Sequence, residues 1–381
     1  MILGIDASTV GSGGFQRHLI EILRHCDPTK HNFKIIKIWG TNDILNKIPE
    51  SVFMVKLTHP LLNGNLFSRY LWQLFFRDSS FKNENINVLL DPIGLYNGKF
   101  KPYATMSRNM LIFDKHEQSR FGWSFLRLKF IFLFYTQCKT FKNAQAIIFI
   151  SEYAKKYIQQ FVNYHDKKII IIHHGISLIF QKEPRVQFSI FNYDNQNPYK
   201  FLYVSSVFSY KHHLNVIEVI NKLRKKGYPI IIELVGNIGQ KDVGDQLRKK
   251  ILMLDPENEY IFWHKNVGLE NVLKFYHTSD AFIFASSCEN MPNILIEAMA
   301  SGLPILCSSN NPMPEFLEDS GLYFDPENQN ELENSLKKMI EEYNLRTKLS
   351  AKTFTLSKKY NWTICSDKTF NLLSNLATNK I

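Results

Sequence analysis

The chain has 381 residues, of which 45% are hydrophobic and 21% charged. These are the proportions of a soluble globular protein with room for two domains that each bury a core. Its five cysteines are scattered without a Cys-x-x-Cys pair, which argues against a disulfide framework or a zinc site and predicts a reducing compartment. The longest apolar run, Phe130 to Tyr135, is too short to span a bilayer, and Met1 to Asp6 is strand-like, unlike a signal peptide. We therefore expect a cytoplasmic protein.

The formal net charge of +11 lies wholly in the first half of the chain. Residues 1–180 contain 23 Lys and Arg against 12 Asp and Glu, whereas residues 181–381 contain 23 of each. A basic half beside a neutral one predicts an anionic partner for the first half. Nucleic acid, an acidic sugar and a membrane surface would each meet that description.

The chain opens on a strand-like run, a glycine-rich turn and a helical pattern. Met1 to Ala7 is apolar enough for a buried strand, the turn spans Gly11 to Gly14, and Phe15 to Arg24 has helical spacing. The turn is not a complete dinucleotide fingerprint, although its glycines would let the backbone approach a ligand closely. Further strand-like runs are Phe33–Ile38, Val52–Leu57, Val88–Leu90, Ala146–Ile150 and Lys168–Ile172. Strands alternating with helices predict a parallel sheet covered on both faces.

The segment from Lys99 to Lys142 is basic and aromatic, with nine Lys and Arg against two acidic residues. Within it, Ser119 to Phe141 has the pattern of one long helix. Its aromatic and basic side chains fit a helix lying on a membrane surface. They also fit an ordinary core helix on which Arg127 and Lys129 extend to solvent.

Shorter signals follow along the chain. Ser151 is placed to cap a helix, and the pairs His173–His174 and His212–His213 lack a third ligand at metal spacing. Residues 176–198 have the composition of an interdomain connection. The second half continues with strand-like runs at Phe201–Ser205, Ile230–Val235, Tyr260–Trp263 and Ala281–Phe284.

The most informative stretch is Ser286 to Pro304, SSCENMPNILIEAMASGLP. It follows a buried strand and predicts a loop and then a helix, Asn293 to Ala300, because Pro favours a first helical turn and Gly a helix end. Ligands of open parallel sheets bind at such strand ends, and a helix amino end suits a phosphate. Glu297 could accept two hydrogen bonds from a ribose diol, and Glu289 could hold a second sugar. The alternative is a pair of ordinary solvated glutamates.

At this point the sequence resembles a known family. Glu289 and Glu297, eight positions apart, resemble the E-x7-E signature of retaining family 4 glycosyltransferases, also called group 1. The run Pro304 to Asn328, the run Tyr203 to Lys211 and the glycine-rich start are also similar to that family. The resemblance implies the α/β GT-B fold, in which two Rossmann-like domains with parallel sheets face each other across a cleft. The expected domains are residues 1–178 on the acceptor side, residues 179–363 for the nucleotide sugar, and a C-terminal helix at 364–381 that returns to the first domain.

The resemblance also implies a site. Catalytic roles fall on Glu289, Lys211 and Arg108; Arg108 lies in a run that resembles the polysaccharide-assembly branch of the family. The implied nucleotide-sugar site comprises Gly13, Gly14, Ser206, Lys211, Glu289, Asn290, Met291, Pro292, Asn293, Ile294, Leu295 and Glu297. The family clamps the diphosphate with an Arg and a Lys, and here Ser206 occupies the Arg position. A serine can donate one hydrogen bond but supplies no charge.

The implied activity is transfer of a hexose from a nucleotide-diphosphate sugar to a hydroxyl of a growing glycan, with retention of configuration and without a metal or other cofactor. The type suggested is polysaccharide, O-antigen or lipopolysaccharide assembly, with a lipid-linked acceptor at the inner face of the plasma membrane. The positive first half fits such an acceptor or an anionic membrane surface, and we expect no nucleic acid partner.

Three alternatives remain open from the sequence. A nucleotide-sugar epimerase would share the fold but need no acceptor. A glycoside hydrolase would use paired carboxylates, although a strand–loop–helix setting suits that chemistry poorly. A non-catalytic nucleotide-sugar-binding protein stays open as an alternative, because Ser206 stands where the family has an arginine.

Overall fold

The computed structural model describes residues 1–11, 13–164 and 166–378. Ser12 of the predicted glycine-rich turn and the last three residues of the predicted C-terminal segment lie outside the described residues. The strands are β1 Ile2–Asp6, β2 Ile35–Trp39, β3 Met54–Leu57, β4 Val88–Asp91, β5 Tyr103–Ser107, β6 Ala146–Phe149, β7 Lys168–Ile171, β8 Tyr199–Val204, β9 Ile230–Val235, β10 Ile261–His264, β11 Ala281–Phe284, β12 Ile305–Ser308 and β13 Leu322–Phe324.

The helices connect these strands. They are α1 Gly14–Arg24, α2 Asn42–Leu45, α3 Leu66–Phe75, α4 Arg77–Asn83, α5 Lys115–Ser119, α6 Phe125–Asn143, α7 Glu152–Ile158, α8 His213–Lys225, α9 Lys241–Leu254, α10 Leu269–Thr278, α11 Asn293–Ala300, α12 Met313–Leu317, α13 Gln329–Glu341, α14 Tyr343–Ser357 and α15 Trp362–Ala377. In the described part of the chain, no helix is both long enough and apolar enough to cross a bilayer.

The chain forms two compact units. The first comprises residues 1–113, 124–175 and 361–381, and the second comprises residues 114–123 and 176–360. The chain passes from the first unit to the second after residue 175 and returns after residue 360, so α15 lies in the first unit. The domain boundaries at 178 and 363 stay predictions. The short segment 114–123 packs with the second unit, which the sequence did not predict.

The first unit is built on a parallel sheet with strand order β3-β2-β1-β4-β5-β6-β7. The order reverses between β1 and β4, which are adjacent strands. Every residue of β4 and β6 is buried, as expected for strands with helices on both faces of the sheet. Ser151 caps α7 as predicted, because its hydroxyl accepts a hydrogen bond from the Ala154 amide at 3.1 Å.

The second unit repeats this plan. Its parallel sheet has the order β10-β9-β8-β11-β12-β13, with the reversal between β8 and β11. Gly302, after α11, has φ 64°, so the predicted left-handed helix end is confirmed. Two Rossmann-like α/β domains with parallel sheets are therefore present, as predicted.

Three local predictions were wrong. The long helix predicted from Ser119 to Phe141 begins at Phe125 instead, as α6. Gly122 interrupts it with φ 56°, and Ser124 is the N-cap of α6, where its hydroxyl accepts a hydrogen bond from the Arg127 amide. Strand β5 was missed, since its alanine, methionine and serine carry little strand propensity. Residues 176–198, predicted as the interdomain connection, belong to the second unit, where Arg185 pairs with Asp280 at 3.1 Å.

The aromatic residues of α6 divide between the two predicted interpretations. Phe130 and Phe141 are buried, and the ring of Phe134 lies 5.5 Å from that of Phe113. Phe132 and Tyr135 point outward and are exposed. The helix therefore presents apolar side chains to the core and to the surface at once.

Candidate active site

An ion pair lies where the second sheet reverses its strand order. Lys211 follows β8, Glu289 follows β11, and the lysine Nζ contacts the carboxylate Oε1 across 78 positions of sequence. The Lys211 and Glu289 side chains are only 8% and 17% exposed. The Lys211 ammonium also lies 5.3 Å from the ring centres of Tyr210 and Phe284, which lowers its exposure to water further. Open parallel sheets bind their ligands at the carboxyl ends of the strands, near the point where the strand order reverses. This buried charge pair therefore lies where a charged ligand would bind.

The two loops that carry this pair are fastened to each other. The Ser287 amide donates to the Tyr210 carbonyl at 2.9 Å, and the His212 Nε2 lies 3.0 Å from the Ser287 hydroxyl. His212 has φ 49°, a left-handed conformation that turns the chain into α8. The Tyr203 hydroxyl donates to the Lys211 carbonyl at 2.7 Å. Lys211 is thus held by its backbone on both sides and positioned before any ligand arrives.

Burial and charge perturb the groups around the pair. Burial, followed by the negative charge of Glu289, raises the pKa of the Tyr210 phenol. Burial lowers the pKa of His213 to about 3, and the charge of Lys211 adds to that shift. His213 is therefore neutral at physiological pH, with its ring stacked on Tyr203 at 4.6 Å. The surroundings thus add no second cation at these two positions.

The predicted loop and helix after β11 have the expected form. Asn290, Met291 and Pro292 are buried, and Pro292 stands at the N-cap of α11. The Pro292 carbonyl accepts the amide of Leu295 at 2.9 Å, so the helix starts on the residue the sequence indicated. The first amides of a helix have no acceptor within it and carry a partial positive charge. Asn293 and Ile294 therefore begin a helix that could hold a phosphate beside Lys211.

A small pocket of about 230 Å³ lies at the same edge of the sheet. Ser206, Gly236 and Ile294 line it, together with the apolar side chains of Val267 and Val272. Gly236 has φ 153° and packs so closely on the Ser205 carbonyl that a Cβ would clash there. Backbone and aliphatic walls of this kind suit a flat aromatic group such as a nucleotide base.

Glu297 lies inside the unit. It is 6% exposed, and its Oε2 accepts a hydrogen bond from the Tyr276 hydroxyl at 3.1 Å. That hydroxyl also lies 3.3 Å from the Ile294 carbonyl in the first turn of α11. Tyr276 therefore ties the carboxylate to the helix start. Its role as a ribose ligand stays a prediction.

Arg108, Gly13 and Gly14 lie together in the first unit, where β1 ends and α1 begins. Gly13 has φ 78° and stands at the N-cap of α1. The Arg108 guanidinium donates to the Gly14 carbonyl at 2.7 Å and lies 4.7 Å from the ring centre of Phe15. Burial lowers the pKa of Arg108 to about 9. In this arrangement Arg108 fastens the glycine-rich turn to the end of β5, so its predicted catalytic role would require the guanidinium to bind substrate as well.

Among residues 1–11, 13–164 and 166–378, no three His, Cys, Asp or Glu side chains group as a metal site would need. The buried His18 ring is tilted against that of His174, with the ring centres 4.6 Å apart, and its pKa is lowered by burial, then by Arg108. Metal independence stays a prediction.

Sequence reasoning missed the supporting residues of the site. Tyr210, Ser287 and Tyr276 hold the loops or Glu297, yet the sequence assigned a role to none of them, although Tyr210 and Ser287 lie in the two runs singled out above. Their partners lie on other elements, so only the folded chain reveals them. Gly236 was visible as a glycine ending a strand, and that signal could have pointed to the pocket beside Ser206.

Part of the second unit is similar to a known family. Residues 187–355 match the family model described as "Glycosyl transferases group 1". The O-antigen chain mannosyltransferase B of Escherichia coli is 23% identical over 144 residues, which cover 38% of this chain and 36% of the relative. The first curated relatives are matched over 36%, 21% and 20% of their own length, so the chain spans about a third of them or less.

Solved structures match over the whole chain. A sucrose-phosphate synthase from Thermosynechococcus elongatus has a TM-score of 0.76 at 14% identity, with both chains covered completely. HepE of Anabaena, solved in complex with UDP-glucose, has a TM-score of 0.69 at 14% identity, also with full coverage of both chains. At that identity the likeness establishes the fold. The chain has the two Rossmann-like domains of the GT-B fold, and its residues 187–355 are similar to the group 1 glycosyltransferases.

Proposed function

We propose that the protein is a retaining glycosyltransferase that moves a hexose from a nucleotide-diphosphate sugar to a hydroxyl of a growing glycan. The observation that carries the proposal is the buried pair of Lys211 and Glu289 at the strand reversal of the second sheet, beside the start of α11. That arrangement offers a cation, a helix amino end and a carboxylate to one ligand. A sugar joined to a diphosphate needs all three.

In this proposal Lys211 stabilises the leaving diphosphate. The bond between the anomeric carbon and the phosphate oxygen breaks while the acceptor oxygen bonds the same face of that carbon. The acceptor proton passes to the departing phosphate oxygen, so atoms and charge balance without an enzyme nucleophile. Negative charge grows on the phosphate as this happens, and a positioned cation stabilises it more than the ground state.

Glu289 has one role without a ligand and another when the donor is bound. Without a ligand it neutralises the largely buried Lys211. When the diphosphate takes over the lysine, the carboxylate is free to accept hydrogen bonds from hydroxyls of the transferred sugar. The ion pair therefore holds both side chains in place, and the ligand replaces one half of the pair.

The finer features of the proposal rest on resemblance and relatives. The mannosyltransferase relative builds O-antigen chains by its name, and HepE is named as binding UDP-glucose. The first name supports a polysaccharide or lipopolysaccharide product, and the second supports a nucleotide sugar as the donor. The lipid-linked acceptor and the cytoplasmic position at the inner membrane face rest on the sequence resemblance and on the basic first half of the chain. Retention and independence of metals follow from the resemblance at Glu289 and Lys211. Ser206 leaves Lys211 to carry the charge that the family shares between two cations.

The test is direct binding followed by turnover. Isothermal titration calorimetry with UDP-glucose and with nucleoside-diphosphate mannose should show saturable binding, and Lys211→Ala should weaken that binding. Incubation of the bound donor with a lipid-linked oligosaccharide acceptor should then release the nucleoside diphosphate. Nuclear magnetic resonance of the product linkage would report retention or inversion.

Two controls make the outcome decisive. Donor alone, without acceptor, should stay unchanged apart from slow hydrolysis, because an epimerase would instead convert it to another sugar. Addition of a chelator should leave the rate unchanged. Binding of nucleotide sugars without transfer to any acceptor in the panel would contradict the proposed activity.

A further inference from the structure

Two exposed apolar stripes lie on the first unit. On α3, Phe67, Tyr70 and Leu74 repeat at helical spacing, and on α6, Leu128, Phe132 and Tyr135 do the same. We call these six residues the α3/α6 face. Each of the six is between 52% and 68% exposed, although ordinary core-facing helices bury such stripes.

The two stripes form one continuous surface. A cavity of about 520 Å³ lies between the helices, and Tyr70, Leu74, Phe132 and Tyr135 all line it. Single exposed apolar residues are common on soluble proteins, but a contiguous group of this kind marks a binding surface. The core is already complete beneath it, since Trp72 of α3 and Phe130 of α6 are buried on the opposite sides of their helices.

The charge around the face has one sign. Neither α3 nor α6 contains an acidic residue, whereas α6 carries Arg127, Lys129, Lys139 and Lys142. Lys139 continues the stripe four positions after Tyr135 and lines the cavity together with Lys99. Lys129, Lys139 and Lys142 are exposed and form no ion pair within the described residues.

The acidic group at this cavity is already engaged. Asp78 lines the cavity floor, but its Oδ1 accepts from the Tyr96 hydroxyl at 2.7 Å and its Oδ2 from the Lys99 amide at 2.6 Å. Arg77, also at the floor, lies 3.7 Å from Asp6 and is buried. The charges that remain for a partner are therefore those of the exposed lysines, Lys129, Lys139 and Lys142.

We propose that the α3/α6 face docks on the surface of an anionic lipid bilayer. The proposal deepens the proposed function and rests on it for its purpose, because a docked enzyme would meet a lipid-linked acceptor. Aromatic and aliphatic side chains enter the boundary between headgroups and acyl chains, and the lysines pair with anionic headgroups. Apolar insertion and electrostatic attraction together give binding that either alone would leave weak.

A bilayer fits the face better than a second copy of the chain. A symmetric dimer brings the same patch of both subunits together, so the lysines of one copy would face those of the other. No carboxylate on α3 or α6 would relieve that repulsion. An anionic bilayer instead offers a complementary charge and a planar apolar layer.

The experiment is vesicle flotation of the full chain. Vesicles of phosphatidylcholine mixed with phosphatidylglycerol should carry the protein at low salt, and those of phosphatidylcholine alone should carry much less. Salt at about 1 M, where the screening length falls to about 3 Å, should release it. Phe67→Ser with Phe132→Ser, and separately Lys129→Glu with Lys139→Glu, should each reduce binding, with a loss of about fivefold for every cation removed.

Matched controls come from the second unit. Leu252 and Met253 are 62% and 65% exposed on α9, so Leu252→Ser with Met253→Ser removes comparable apolar surface elsewhere. Lys225→Glu with Lys249→Glu changes the same net charge away from the face. Both control variants should float like the unchanged protein. All variants should bind the nucleotide sugar with unchanged affinity, which separates a failure of this proposal from a failure of the proposed function.

Three results would overturn the proposal. Equal flotation with neutral and anionic vesicles would remove the electrostatic part, and face variants that float like the controls would place binding elsewhere. A protein that elutes as a dimer, becomes monomeric on Phe67→Ser with Phe132→Ser and floats with no vesicle would assign the face to self-association.

Discussion

Replacing Lys211 by methionine should cost both stability and turnover, and the two losses can be separated. Methionine keeps most of the side-chain volume but leaves the Glu289 carboxylate without its cation. Breaking a fully buried pair in this way costs about 3–5 kcal/mol. Because Glu289 is 17% exposed and can recruit water, we expect about 2–3 kcal/mol here. Turnover should fall by about 10²–10³-fold, the usual effect of removing one positioned electrostatic group.

The double variant Lys211→Met with Glu289→Gln distinguishes the two roles. Glutamine removes the stranded charge, so most of the lost stability should return, because loss of both partners costs less than loss of one. Turnover should not return, since no cation then faces the leaving diphosphate. Glu289→Gln alone should lower turnover more than affinity for the free nucleoside diphosphate, as its proposed contact is with the sugar.

The assay combines denaturant unfolding, followed by a probe in the second unit, with a steady-state transfer rate at saturating donor. Recovery of turnover along with stability in the double variant would refute the reasoning, because Lys211 would then act only as a structural partner of Glu289. So would a Lys211→Met protein that is folded and fully active.

Other predictions concern the rest of the second unit. Glu297→Ala should weaken nucleotide binding by about 1.5–3 kcal/mol in calorimetry, whereas Tyr276→Phe, which keeps the carboxylate, should have a smaller effect; unchanged affinity in a folded Glu297→Ala protein would exclude the ribose role. Ser206→Arg should raise affinity for nucleoside diphosphates, and an unchanged or lower affinity would show that this position does not face the phosphates. His213 has a folded pKa of about 3 against 6.5 when unfolded, so the unfolded chain binds the extra proton and stability falls as the pH drops below 6.5. His213→Phe should therefore reduce the pH dependence of unfolding by about 1.4 kcal/mol per pH unit in that range, and an unaltered slope would contradict this.

The sequence alone was sufficient for the outline of both domains. Patterns such as Ala281–Phe284 and Ile230–Val235 became strands at those residues, because wholly buried parallel strands need continuous apolar runs. The start of α11 after Pro292 and its end before Gly302 followed from local backbone chemistry. Local rules act over a few residues, so a sequence displays them directly. Strand β5, with its small and flexible side chains, shows where that signal is too weak.

Contacts between distant parts of the chain were decided only by the tertiary structure. The sequence nominated Lys211 and Glu289 separately, but it is the adjacency of β8 and β11 in the sheet that pairs them. The same holds for Arg108, which the fold directs onto the carbonyl of Gly14.

The α3/α6 face also depended on the fold. Along α6 the aromatic residues follow one another almost continuously, so the sequence could not distinguish those that face the core from those that face outward. The physical reason is that a helix turns by a fixed angle per residue, while the direction of its buried side is set by what it packs against. Only the packed first unit shows that Phe132 and Tyr135 remain exposed beside α3.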